Sequence, residues 1–157
     1  MMRSNVHLIL LLKISMLVIL PSCNDEIINS SINYEGFIGA VPVGTFTHSD
    51  VRSFGELGLF EELAKDRLSE ESIKELIKRV NELTEVSHST NYDFRSIVYL
   101  RKKNGKGIKI CLDLDSGSRT ILVGNSLYCL PDSFAKYYSS VLCDHFGENY
   151  RYVEDAD

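Results

Sequence analysis

From Ser69 onward the apolar residues fall at helical spacing. Ile73, Leu76, Ile77, Val80 and Leu83 form one stripe, with charged residues between them. Ser69 is placed to cap this helix, and Glu70 and Glu71 favour the positive end of its dipole. Leu68 and Ile73 are spaced for a hydrophobic staple at its entry. A second stripe, Phe134, Tyr137, Tyr138, Val141, Leu142 and Phe146, predicts a helix over 132–146. Pro131 suits its start, Asp132 or Ser133 its cap, and Gly147 its stop. A shorter helix is expected over 57–65, with Leu59, Phe60 and Leu63 on one side.

Between the two long helices the period changes to two. Residues 94–101 and 108–115 read as strands joined at Asn104-Gly105, a strong hairpin signal because both residues accept positive φ. Taken as a two-residue turn, it places Ile97 opposite Leu112 and Tyr99 opposite Ile110. Turns at Ser116-Gly117 and Gly124-Asn125 then pair Leu112 with Ile121 and Ile121 with Tyr128. The expected fold class is α+β: a four-stranded antiparallel meander, ending at Leu130, packed with two or three helices. In this register Ile97, Tyr99, Ile110, Leu112, Ile121 and Tyr128 share the face that carries the Ser69 helix. Val98, Leu100, Cys111, Leu127 and Cys129 share the other. Cys111 and Cys129 are then separated by an intervening strand, about 10 Å apart, too far for a disulfide.

Residues 34–46 have no clear period. Phe37, Ile38, Val41, Val43 and Phe46 are interrupted by Gly36, Gly39, Pro42 and Gly44. Pro42 argues against a central strand, so an irregular segment or edge strand against the core is expected. The alternative is a pliable apolar lip for a partner.

At the N-terminus, Arg3 and Lys13 are the only charged residues before Cys23, and the apolar run 14–20 is interrupted by a single Ser. Its length suits a cleavable secretory signal, whose apolar core is ~7–15 residues. A membrane-spanning helix needs ~20. Leu20-Pro21-Ser22-Cys23 resembles the lipobox of bacterial lipoproteins, in which a Leu lies three residues before the modified Cys; Pro21 is the departure from that pattern. The resemblance implies that the chain is cut before Cys23 and that the Cys23 thiol carries lipid. The protein would then be anchored to a bacterial membrane in the cell envelope, with its domain on the non-cytoplasmic side. The expected organisation is a signal peptide over 1–22, a flexible tether over 23–33, a single α+β domain over 34–147 and an acidic tail over 148–157 that frays.

The formal net charge is −5, and all 22 acidic residues follow Cys23. An acidic exported chain is a poor nucleic-acid binder, so no nucleic-acid partner is expected. With Cys23 lipidated, Cys111, Cys129 and Cys143 remain, too few for a disulfide scaffold. No metal-ligand spacing occurs. Asp113-Leu114-Asp115-Ser116-Gly117 is similar to the start of a calcium loop but lacks its third carboxylate, its Gly and its closing Glu, so a turn explains it better. His48 lies among Thr47, Ser49 and Asp50, yet neighbours in sequence rarely converge on one atom. Cys143 and His145, two apart on one helix, do not face each other.

No catalytic, cofactor-binding or metal-binding residue is therefore assigned. The expected function is a lipid-anchored envelope binding or accessory module without catalytic activity. Its partners would be membrane lipid through Cys23 and an envelope protein. Candidate contact residues are Phe37 and Ile38 on the apolar stretch and Lys102 and Lys103 on a basic hairpin tip that also holds Arg101, Lys106 and Lys109. Alternatively the tip is only a soluble, strand-guarding end. Two other functional readings stand beside it: an immunity-type inhibitor of an envelope-targeting toxin, and an envelope enzyme built from scattered residues such as His48, His88 and Asp113.

Overall fold

A computed structural model describes residues 26–44, 64–87, 93–114 and 119–152 of the 157-residue chain. Cys23, His48, His88 and the expected Ser116-Gly117 turn lie outside the described residues. The described elements are β1 (Tyr34–Ala40), β2 (Ala64–Leu68), α1 (Glu70–Asn81), β3 (Ser96–Lys102), β4 (Gly107–Leu112), β5 (Thr120–Val123), β6 (Ser126–Cys129), α2 (Asp132–Phe146) and a 3-10 turn, Glu148–Tyr150. The strands form one antiparallel sheet in the order β2-β1-β3-β4-β5-β6. The class is α+β as expected, but the sheet has six strands rather than the expected four.

Both extra strands come from stretches where local signals point elsewhere. β1 is not an edge: it pairs with β2 on one side and β3 on the other. Pro42 falls after the strand has ended, so it removes no ladder hydrogen bond. Gly36 weakens strand propensity but has a packing role, because a Cβ there would lie 2.7 Å from Cγ1 of Ile73 on α1. The glycine lets the helix lie close on the sheet. β2 takes in Ala64 and Lys65, which the helical reading of 57–65 claimed. Five backbone positions paired with β1 outweigh that weak local preference. Lys65, Asp66 and Arg67 leave this edge strand charged and exposed, which discourages pairing with another chain.

The β3–β4 register is shifted by one residue from the expected one. Ile97 pairs with Cys111 and Val98 with Ile110. The loop has three residues, Lys103, Asn104 and Gly105, with Gly105 at φ 83°. The Gly105 N–H donates to the Lys102 carbonyl at 3.0 Å, and the Lys102 N–H to the Lys106 carbonyl at 2.8 Å. That is the three-residue hairpin with its Gly in the left-handed region, which Asn-Gly fits as well as the two-residue turn. A slip of one swaps the faces of a strand. Val98 and Leu100 therefore join Ile110, Leu112, Ile121 and Tyr128 beneath the helices. Ile97 joins Cys111 on the opposite face, and Tyr99 is turned the same way. The other two expected pairings hold: Leu112 with Ile121, and Ile121 with Tyr128.

Both helices cover one face. Ile73, Leu76, Ile77 and Val80 of α1 and Phe134, Ala135, Tyr138 and Leu142 of α2 share one core cluster with the sheet. Arg79 of α1 lies 4.2 Å from the centroid of the Tyr137 ring on α2. The Ser69 side chain caps α1, accepting from the Ser72 N–H at 3.0 Å. α2 is capped differently from the expectation. Pro131 holds the cap position without a side-chain hydrogen bond, and Asp132 instead pairs with Arg119. Ser96 Oγ donates to the Gly39 carbonyl at 2.8 Å and meets Tyr138 Oη at 2.8 Å, so a buried hydroxyl pair ties α2 to the sheet.

Two stretches expected to be loose are docked. Within the expected tether, Ile28 is 0 % exposed. Its N–H donates to Asn81 Oδ1 at 2.7 Å, and Asn81 Nδ2 returns a 2.8 Å bond to its carbonyl. At the start of the expected tail Tyr150 is buried, and Tyr152 donates its N–H to Ser139 Oγ at 3.0 Å and its hydroxyl to the Val41 carbonyl. In each case an apolar or aromatic residue inside a polar run supplies the anchor. No helix among the described residues is long and apolar enough to cross a membrane.

Candidate functional site

Strand alternation decides what the sheet shows on the side away from the helices. Glu35 and Phe37 of β1, Arg67 of β2, Tyr99 and Arg101 of β3 and Lys109 of β4 all point that way, because their neighbours Gly36, Ile38, Leu68, Leu100 and Ile110 are buried under α1 and α2. Phe37, Arg67, Tyr99 and Lys109, with Lys65 and Asp66, line a shallow hollow of about 440 Å³ with Phe37 and Tyr99 as its aromatic walls, and Glu35 and Arg101 lie beside it. A side chain on Gly107 would collide with the Tyr99 ring, so that glycine makes room for the ring.

The charges around the hollow are mostly positive. Glu35 accepts from Arg101 Nε at 3.1 Å and from Arg67 Nη2 at 3.3 Å. The hydrogen bond from Arg101, then its charge, holds the Glu35 carboxyl below its usual range. Arg101 also lies over the Phe37 ring, 5.5 Å from its centroid. Asp66, on the same edge, is engaged by His145 Nδ1 at 2.7 Å, and that hydrogen bond lowers its pKa. Four cations, Lys65, Arg67, Arg101 and Lys109, thus surround two carboxylates that are already committed.

The expected contact residues are not brought together. Ile38 is 0 % exposed beneath the helices and cannot touch a partner. Phe37 is partly exposed in the hollow. Lys102 turns to the helix side, its Nζ 6.0 Å from the Tyr34 ring centroid, and Lys103 is exposed in the hairpin loop. The sequence reading missed Lys65, Arg67 and Tyr99. The only local sign was the alternation within Tyr34 to Ile38, which the glycines obscured.

Of the remaining chemical candidates, His48 and His88 lie outside the described residues. Asp113 is fully buried and accepts the Asp93 N–H at 2.9 Å. Burial pushes the Cys143 thiol up, away from a reactive thiolate. Cys111, Cys129 and Cys143 form no disulfide among the described residues. Among the described residues no group of three or more His, Cys, Asp or Glu is arranged to hold a metal ion.

A second concavity lies on the helix side. The docked segment 26–33 and α1 enclose a cleft of about 650 Å³, floored by Ile32, Leu68, Ile73 and Ile77. Tyr34 also lines it. This residue is only 8 % exposed, and its hydroxyl has no hydrogen-bond partner. Burial raises its pKa, so it remains a protonated donor at neutral pH. An unsatisfied buried hydroxyl destabilises, which gives a prediction with an unusual sign. Tyr34→Phe is expected to raise the unfolding free energy of the ligand-free protein by about 1 kcal/mol. Urea denaturation is the measurement, and a clear loss of stability would mean that the hydroxyl is satisfied in solution.

No family model matches the chain, and no curated protein or solved structure is found to be similar to it.

Proposed function

We propose that this protein is a lipid-anchored envelope module, tethered through Cys23, that acts by binding an acidic segment of a partner protein. The single observation that carries the binding reading is the hollow on the helix-free side of the sheet. Phe37 and Tyr99 provide apolar contact area there, and Lys65, Arg67, Arg101 and Lys109 supply positive charge on a chain whose net charge is −5. Such local reversal of sign steers an oppositely charged partner and fixes its orientation. The anchor rests on the lipobox resemblance, which sets the domain outside the cytoplasm and confines its partners to the envelope.

The test is capture from solubilised membranes by the full-length wild type and by a Lys65→Glu, Lys109→Glu double variant. Both residues are surface-exposed, so the fold should survive, as circular dichroism can verify. The double variant is expected to bind an acidic partner about tenfold or more weakly, and wild-type binding should weaken with added salt. Lys103→Glu, in the hairpin loop outside the hollow, is the control. Equal loss in the control, or binding by the double variant at wild-type affinity, would reject the hollow as the contact surface.

A further inference from the structure

Strand β2 brings Lys65 and Arg67 to the hollow, and its backbone offers more than their charges. The Val41 N–H, just past the end of β1, donates to the Arg95 carbonyl at 2.9 Å. Bonding residues alternate along a ladder, so the odd-numbered residues of β1 turn their backbone groups to β3. Gly36, Ile38 and Ala40 then turn theirs to β2, where their partners are Leu68, Asp66 and Ala64. The N–H and C=O groups of Lys65 and Arg67 therefore point away from the sheet. The Arg67 N–H agrees with this, since it donates to Oδ1 of its neighbour Asp66 at 2.7 Å. Among the described residues β2 pairs with β1 alone. An edge with outward backbone groups is a template for one more strand.

The charges on β2 decide which strand can join. In a symmetric antiparallel pair of two copies centred on Asp66, Lys65 would stand opposite Arg67 and Asp66 opposite Asp66. Like charges directly opposite destabilise, so a second copy is turned away. A strand of opposite charge is not. Lys65 and Arg67 are exposed and share the helix-free side, about 6.8 Å apart along the strand. Carboxylates two residues apart on an added strand have that same spacing, ~4.8 Å to the side. Asp66 lies between the two cations but on the helix side, with Oδ2 held by His145 Nδ1 at 2.7 Å. It favours an uncharged residue opposite.

We infer that the partner's acidic segment docks as an antiparallel strand on the outer edge of β2, with acidic residues opposite Lys65 and Arg67 and an uncharged one opposite Asp66. This mode of binding rests on the hollow being the contact surface, as proposed above, and adds the conformation and charge pattern of the bound segment. Its direction follows the rest of the sheet, whose pairings are all antiparallel. Lys65 and Arg67 exchange backbone hydrogen bonds with the acidic residues opposite them. The Arg67 N–H passes from Asp66 Oδ1 to a carbonyl of the added strand. The ladder supplies affinity, and the alternation of charge supplies selectivity.

The test measures binding of capped, fluorescent synthetic peptides to the full-length protein by anisotropy at low salt. A peptide of alternating Glu and Thr is expected to bind about tenfold or more tightly than one of the same composition with its Glu residues in a single block. N-methylation of the Glu amides, which face β2, should abolish binding. N-methylation of the Thr amides, which face solvent, should leave it unchanged. On the protein side, Lys65→Pro and Lys65→Ala lose the same charge, but only proline loses the outward N–H. The β1 ladder does not use that N–H, so proline is tolerated there. Lys65→Pro should bind the alternating peptide about fivefold more weakly than Lys65→Ala, the value of one backbone hydrogen bond. Equal binding of the alternating and blocked peptides, or equal effects of the two N-methylations, overturns strand addition while the hollow stands as an acidic-segment site. Those comparisons use the wild type, so they hold even if Lys65→Pro does not fold. Binding of neither acidic peptide would reject both the added strand and the hollow.

Discussion

Leu112→Ala is expected to lower the unfolding free energy by about 2–5 kcal/mol, the range for emptying a fully buried leucine site. Leu112 is 0 % exposed and sits at the middle of the molecule. It is paired with Ser96 on one side and Ile121 on the other, and belongs to the core cluster that joins the sheet to both helices. Ser96 is itself fixed by Tyr138 and the Gly39 carbonyl, so the surroundings have little freedom to collapse into the space. Leu122, next to Ile121 but on the other face and only partly buried, should cost clearly less when truncated. Urea titrations of both variants, with unchanged slope, make the comparison. Equal costs would mean that the two faces of the sheet are not distinguished as described.

The second large effect is expected at Gly36. Valine is a better strand former, so propensity alone forecasts stabilisation. The packing forecasts the reverse. A Cβ at Gly36 would lie 2.7 and 2.9 Å from Cγ1 and Cδ1 of Ile73 and 3.2 Å from Cβ of Leu68. With the two branches of valine added, α1 must move off the sheet, at a cost of about 1–3 kcal/mol. That shift would also widen the cleft, since Leu68 and Ile73 are part of its floor. Gly36→Val therefore tests close approach of helix to sheet, and a gain in thermal midpoint would contradict it.

The two long helices were legible because their signals are local. The stripe from Ile73 to Leu83 and that from Phe134 to Phe146 each encode one apolar face, and the Ser69 cap acts within a single turn. The β4–β5 and β5–β6 pairings were legible for a similar reason: turn positions and alternation agree. The β3–β4 hairpin shows where such signals stop. Asn104-Gly105 serves a two-residue or a three-residue loop, and the choice reverses which side of β3 faces the helices. Burial of Leu100 in place of Tyr99 is decided by packing against α1 and α2.

The candidate site was legible least. Its cations come from β2, β3 and β4 and its aromatics from β1 and β3, so no short stretch contains it. Phe37 and Ile38 stand side by side in one apolar stretch, yet strand alternation sends them to opposite faces. By itself the sequence determined what depends on neighbours along the chain: two amphipathic helices, a run of antiparallel strands and an acidic composition. Tertiary structure decided what depends on partners far apart in the chain. It made 34–40 a central strand, recruited 64–68 to the edge, docked Ile28 and Tyr152, and gathered four cations around two aromatic rings. Non-local pairing supplies those hydrogen bonds and buried contacts, and no residue carries a local preference for them strong enough to announce them in advance.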